Sequence, residues 1–234
     1  MGIGKREACS EDSSCVKLPS CILSKLSSKR KIKARCPICG ASRILCLCDM
    51  VPRIELRTRI CLLIHHRELS RNSNTGLLAL RALVNSEMRI RGEGRESLDL
   101  KDILTPEYRT YMFFPTSDAA ELDETLVAQE RTPIQLIVPD GTWRQASKIY
   151  LRYTELRALP RVKIGAANGS IFQLRTQSRP EGMATLQAIA HALGVIEGSL
   201  VRAELMKLYH AKIERSLIGR GTLRESRPSH IKEE

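Results

Sequence analysis

Three short apolar runs, each ended by a polar loop, constrain this chain more than any other feature. The first, Thr58-Arg59-Ile60-Cys61-Leu62-Leu63-Ile64, ends at His65-His66-Arg67-Glu68. The second, Tyr111-Met112-Phe113-Phe114, ends at Pro115-Thr116-Ser117-Asp118, and the third, Ile134-Gln135-Leu136-Ile137-Val138, is halted by Pro139-Asp140-Gly141. Runs this short and continuous fit strands covered on both faces, since a strand with one wet face alternates. Helical spacing follows each run. Ser73, Asn74 and Thr75 offer N-cap chemistry to a helix carrying Leu77, Leu80, Leu83 and Val84. A second helical stretch runs to about Gln129, and Trp143, Ala146, Ile149 or Tyr150, and Tyr153 recur at helical intervals. Short strands are expected at Arg161–Ile164 and Ile171–Leu174. Then comes the longest pattern, Leu186, Ile189, Ala190, Leu193 and Ile196, broken by Gly198 before Ser199 caps a helix with Leu205 and Leu208 inward. This alternation predicts an α/β fold, a mostly parallel sheet with helices on both faces. Ligands of such sheets bind beyond the carboxyl ends of the strands. In this chain those places are 65–68, 115–118 and 140–143.

Charge narrows the partners. The 234 residues carry 38 Lys+Arg against 26 Asp+Glu, a net +12, and only 4% of them are aromatic. Such a field attracts polyanions, while the lack of aromatic rings argues against reading single strands by base stacking. A phosphate backbone or a folded RNA is the expected partner. No stretch approaches the ~18 consecutive apolar residues of a membrane span. The N-terminus lacks an apolar export core, which predicts a cytoplasmic location, or a nuclear one if the source is eukaryotic. Residues 1–33 read as a basic tail containing Lys29-Arg30-Lys31, 34–53 as a cysteine-rich element, 54–218 as the α/β domain and 219–234 as a polar tail.

Eight cysteines without an export signal point to metal or thiol chemistry. Cys36-Pro37-Ile38-Cys39-Gly40 followed by Cys46-Leu47-Cys48 brings four thiols together in a polar stretch. Core thiols, a redox Cys-x-x-Cys and an iron–sulfur cluster compete with zinc. Core thiols would not bunch so closely, and a redox pair needs no second pair. Ligand count and spacing favour a tetrahedral Zn²⁺ with no open position, hence structural. Cys9, Cys15 and Cys21 have no further ligand type beside them and read as incidental thiols.

Asp140-Gly141-Thr142-Trp143 sits where a ligand is expected. Asp140 can act as acid, base or acceptor, or simply cap the helix that begins there. Trp143 can stack on a purine, but its helical face favours core packing. His65 and Glu68 can pair as acid and base, or be an ordinary polar loop. Arg175 and Arg179 are equally credible as anion contacts and as surface residues.

The ordered set of the four cysteines, His65-x2-Glu68, Ser73-Asn74-Thr75-Gly76, Asp140-Gly141-Thr142-Trp143 and Met183-Ala184-Thr185-Leu186-Gln187-Ala188 resembles the DTW-domain family of tRNA-uridine aminocarboxypropyltransferases. The likeness covers roughly residues 35 to 217. It departs from the family pattern at His66, where proline is frequent, and at Ala184 and Gln187, where the family carries Ser and Glu. The resemblance implies a SPOUT-like knotted sheet that binds S-adenosylmethionine. It also implies transfer of the 3-amino-3-carboxypropyl group to N3 of a tRNA uridine, with release of methylthioadenosine. Asp140 is then the first candidate base, with His65 and Glu68 next, and is equally a holder for the methionine amino group. Thr116, Asp140, Gly141, Thr142, Trp143, Leu159, Pro160 and Thr185 would form the cofactor cradle by family position. The start of the helix at Asn74-Thr75-Gly76 would hold the cofactor carboxylate or an RNA phosphate. Lys29, Arg30, Lys31 and Arg144 are the expected phosphate contacts. An RNA methyltransferase using the same donor and a non-catalytic zinc-bearing RNA-binding module are the alternatives.

Overall fold

A computed structural model describes residues 36–39, 41–92, 98–165 and 183–221. The tail candidates Lys29, Arg30 and Lys31, the strand expected at Ile171–Leu174, and Arg175 and Arg179 lie outside these residues. So do Gly40 and the C-terminal tail from 222.

Six strands form one sheet: β1 (Arg59–His65), β2 (Ser86–Arg91), β3 (Arg109–Phe113), β4 (Ala120–Glu121), β5 (Ile134–Asp140) and β6 (Arg161–Lys163). Their order is β2-β1-β5-β3-β6-β4, and all five pairings are parallel. The chain winds outward from β1 to β2, crosses to β3 on the other side, and later returns β5 to the gap between β1 and β3. Such a reversal of winding opens a crevice at the carboxyl ends of the strands that flank it.

The apolar runs become the central strands because both of their faces are covered. Ile60, Leu62, Ile64, Leu136 and Val138 face one layer, made by α1 (Gly76–Ala82), α2 (Glu124–Gln129), α5 (Thr185–Ile196) and α6 (Ser199–Gly219). Cys61, Leu63, Met112 and Ile137 face the other, where Ala146 and Ile149 of α3 (Trp143–Arg152) and Leu156 of α4 (Thr154–Arg157) pack. Together they leave almost none of this apolar surface in water, the main force holding the sheet.

The structure differs from the sequence reading in detail. Proline does not halt β5, which continues through Pro139 to Asp140. Since Met112 is level with Ile137 and β3 ends at Phe113, the missing N–H of Pro139 falls where β3 no longer runs beside it. β2 is an edge strand of alternating type, with Met88 and Ile90 inward and Glu87, Arg89 and Arg91 between them. Helix α1 ends at Ala82, which leaves Val84 41% exposed rather than on the packed face. Gly198, with φ +107°, and not Ser199, occupies the cap position of α6.

Candidate active site and metal centre

Asp140 ends the central strand β5 at the reversal of winding and is buried. Alternation along β5 turns its carboxylate toward the α1/α5 layer. There Asn74 Nδ2 donates to Oδ2 at 2.6 Å, and the Thr185 hydroxyl donates to Oδ1 at 2.5 Å. Both donors are themselves fixed. Asn74 Oδ1 accepts the Leu77 N–H at 3.1 Å, capping the first turn of α1, and Thr185 is the first residue of α5. The cap position of α5 is Ala184, which has no oxygen to offer; instead Thr75 Oγ1 accepts the Leu186 N–H at 3.1 Å. Asn74 and Thr75 thus join the starts of two helices to one carboxylate. The first turn of α1 is already served from within, because Thr75 O takes the Leu78 and Ala79 N–H groups.

Glycine is required where α1 passes the strand. A Cβ on Gly76 would lie 3.0 Å from both Asp140 Oδ2 and Leu62 Cδ2. At Gly141, φ is +153° and a Cβ would meet Gln145 Oε1 at 2.9 Å. The turn it makes leads into a capping box: Gln145 Oε1 accepts the Thr142 N–H at 2.7 Å, and Thr142 Oγ1 accepts the Gln145 N–H at 3.3 Å. The cap of α3 is therefore Thr142, not Asp140.

The other residues singled out from the sequence are divided by the sheet. Ile64 is the register partner of Asp140, so His65 lies one residue further and faces the α3 side. Its Nδ1 accepts the Arg67 N–H at 3.2 Å, and its ring lies 4.8 Å from that of His66. Burial, then the neighbouring His66, Arg91 and Arg67, push the His65 imidazole below its ordinary value. Glu68 is 1% exposed and ion-paired to Arg71 at 3.2 Å. Trp143 packs on the α3 side with its ring 5.5 Å from Phe114. Thr116 follows β3 at the same carboxyl edge, and with Arg161 its hydroxyl holds the Asp118 carboxyl below its ordinary value. Leu159 and Pro160 enter β6 elsewhere. Arg161 is level with Met112, itself level with Ile137, so this turn begins at least three residues short of Asp140. Arg144 is exposed on the first turn of α3.

The four sulfurs of Cys36, Cys39, Cys46 and Cys48 all lie within 4.8 Å of one another, with Cys36–Cys48 at 3.5 Å and Cys39–Cys46 at 3.8 Å. A tetrahedron of Zn–S bonds has edges of about 3.8 Å. The donor set fits zinc. Its surroundings fit as well: four thiolates around Zn²⁺ leave two negative charges, and two cations lie beside them. Arg81 Nη2 donates to Cys48 Sγ at 3.0 Å, and Lys212 of α6, 8% exposed, lies within electrostatic reach of Cys39. Without a metal the thiols share protons unevenly. The Cys48 hydrogen bond pulls Cys39 down to about 5, burial pushes Cys46 up to about 11, and Cys48 rises further against the Cys39 thiolate. The knuckle is also anchored by packing. Leu47 is buried in the larger core cluster, and a Cβ on Gly219 would lie 2.7 Å from Leu45.

The sequence pattern offered Asn74 and Thr75 as caps and as an anion-holding helix start. Asn74 in fact reaches Asp140, and Thr75 caps α5 instead of α1; no local pattern signals contacts across 66 and 111 positions. It also passed over Arg91, although the Met88/Ile90 alternation marks the strand that carries it.

A caged carboxylate at the crossover of a parallel α/β sheet, with a four-thiol knuckle docked beside the same layer, defines an α/β domain with a candidate ligand site and a cysteine element whose donor set suits a metal. Residues 33–217 match the family model described as the DTW domain, and the chain belongs to that family. It is similar to the tRNA-uridine aminocarboxypropyltransferase 2 of Drosophila melanogaster, with 29% identity over 170 residues, 70% of this chain and 66% of the relative. It is also similar to proteins of that name from Macaca fascicularis, 25% identical over 71% of this chain and 58% of the relative, and Mus musculus, 25% over 70% and 57%. The chain thus spans between about half and two thirds of the length of the curated relatives it matches. No solved structure matches it. Among the described residues no helix is long and apolar enough to cross a membrane.

Proposed function

We propose that this protein transfers the 3-amino-3-carboxypropyl group of S-adenosylmethionine to N3 of a uridine in tRNA, releasing methylthioadenosine. Asp140, an anionic acceptor pinned by Asn74 and Thr185 at the crossover within the family's signature, is the observation that carries the reading. The names of the relatives and the net +12 support tRNA as the acceptor substrate. A SPOUT-like knotted sheet with the donor in its C-terminal loops belongs to the same proposal; the late insertion of β5 between β1 and β3 supports it.

S-adenosylmethionine supplies a sulfonium whose γ carbon is open to displacement. The chain must present that carbon, not the methyl, in line with N3. It must also accept the N3 proton as the new C–N bond forms. Asp140 supplies the negative charge for this centre, as base or as partner of the donor's ammonium; His65 and Glu68 are the next candidates for the base. Gly141, Thr142, Trp143, Thr116 and Thr185 are assigned to the donor cradle; the Leu159–Pro160 turn, entering β6 short of that edge, is left out of it. The phosphate contacts are assigned to Arg144 with Lys29, Arg30 and Lys31. Zn²⁺, held by Cys36, Cys39, Cys46 and Cys48, has a structural role. Product analysis with unmodified tRNA and S-adenosylmethionine tests the reading. Methylthioadenosine and a modified uridine are expected; S-adenosylhomocysteine identifies a methyltransferase instead, and neither product identifies a binding module.

A further inference from the structure

Five arginines lie within the strands of the sheet. Four have a carboxylate. Arg59 pairs with Glu87 at 2.6 Å, Arg89 with Glu87 at 2.9 Å and Asp102 at 2.5 Å, Arg109 with Glu130 at 3.5 Å, and Arg161 with Asp118. The fifth, Arg91, ends β2 and is 7% exposed. It has no acidic partner among the described residues. Its Nη2 donates to the Gln145 carbonyl at 3.4 Å, a long bond, and its Nε is buried with no acceptor among the described residues. A buried guanidinium is normally held by a paired anion, and an unmatched donor of this kind calls for a partner.

An imidazole and two further guanidinium groups surround it. His65 is the register partner of Arg91 on β1, and a Cβ on Gly92 would lie 3.1 Å from His65 Nε2, so the imidazole rests against the end of β2. Arg152 and Tyr153, at the end of α3, are the other groups felt by Arg91, and Arg67 is felt by His65. Arg67 and Arg152 are exposed. The cluster therefore runs from a buried guanidinium at the carboxyl end of β2 to exposed arginines at the surface.

We infer that Arg91, with His65 and Arg152, forms an oxyanion site that takes a backbone phosphate of the RNA substrate. The proposal rests on the RNA substrate of the reading above. A phosphate is favoured over the donor's carboxylate by position: Arg91 lies on β2, two strands from β5, and its register partner His65 faces away from the side on which the Asp140 carboxylate is held. Guanidinium groups suit phosphate because their donors match its oxygens in pairs.

The test uses the full chain with zinc bound, an unmodified tRNA transcript, and Arg91→Gln beside Arg89→Gln. The control removes the same charge from the same strand, but from an arginine already matched by two carboxylates. Arg91→Gln is expected to weaken tRNA binding about 10-fold at ~0.15 M salt and to lower the log–log salt slope by about one, while Arg89→Gln leaves the slope unchanged. Arg91→Lys keeps the slope. S-adenosylmethionine affinity, measured by calorimetry, does not move in either glutamine variant. Ligand-free Arg91→Gln melts at or above the wild-type temperature, because an unmatched buried charge has been removed; a purely structural arginine would give the opposite. Equal tRNA binding by the two glutamine variants overturns the proposal. So does a loss of S-adenosylmethionine affinity in Arg91→Gln, which would assign the anion to the donor. Failure of the aminocarboxypropyl reading appears separately, as wild-type protein that binds tRNA without making methylthioadenosine.

Discussion

Thr75 accepts the backbone N–H of Leu186 at 3.1 Å, so a residue beside α1 caps a helix 111 positions away. The contact compensates for Ala184, which cannot cap α5, and it holds Thr185 where its hydroxyl meets Asp140. Thr75→Val keeps the shape and removes the acceptor. It is expected to lower stability by about 1 kcal/mol, the usual worth of a helix cap, and Thr75→Ser to restore it. Denaturant melts of the three proteins measure the difference.

Asp140→Asn is expected to leave the fold intact, because an asparagine there can still accept from Asn74 and can donate to the Thr185 oxygen. The charge is lost. Turnover falls about 10²-fold or more. Single-turnover formation of methylthioadenosine, run beside calorimetry of S-adenosylmethionine, assigns the role: unchanged donor affinity makes Asp140 the base, and a parallel loss makes it the ammonium partner. If neither quantity moves, Asp140 serves only to join the helices.

Protein purified without added metal is expected to carry one zinc per chain, lost in Cys36→Ser/Cys48→Ser. Lys212→Met tests the counter-charge. It keeps the buried volume and removes one of the two cations beside the tetrathiolate, so zinc affinity falls by about 10-fold or more, the scale for outer partners of metal ligands. Competition with a chromophoric chelator reads this without reference to activity. An affinity matching the wild type would leave Arg81 as the sole counter-ion.

Stability is expected to fall as the solution is acidified below neutrality. Burial lowers both His65 and His191, aided by His66 and Arg91 in the first and Arg202 in the second. The unfolded chain protonates these rings near the ordinary value of about 6.5, the folded chain only at lower pH. The stability they contribute is therefore present above that value and lost as pH falls toward the folded-state values. Melting temperatures from pH 8 to pH 5.5 should show the decline, with a shallower slope in His191→Gln.

What the sequence disclosed follows from the range of each interaction. Ile60–Ile64 and Ile134–Val138 announce buried strands through composition alone, and the four cysteines announce their cage because ligand spacing is local. The signature Asp140 was visible as a candidate, yet not its cage. Asn74 and Thr185 meet it, with Thr75 bracing the start of α5, only through the packing of α1 against α5, which no short pattern encodes. His65 and Asp140 both close strands and were rival candidates for the base, but a register offset of one residue sends them to opposite faces of the sheet. Arg91 was hidden by the polarity of its edge strand, since an alternating run of charges reads as surface until its depth is known.

The position of β5 also fixes when the protein can fold. A ribosome delivers β1, β2 and β3 well before residues 134–140, yet β1 and β3 share no ladder and meet only through β5. Until that strand emerges, the nascent chain holds the pair β1–β2 and an unpaired β3, with bare apolar edges and no carboxylate for Asn74 to hold. Closing the sheet then demands contacts between distant segments all at once, the condition that makes folding slow and exposes partly made chains to aggregation. The same insertion that creates the crevice thus makes the nascent protein dependent on protection until its central strand arrives.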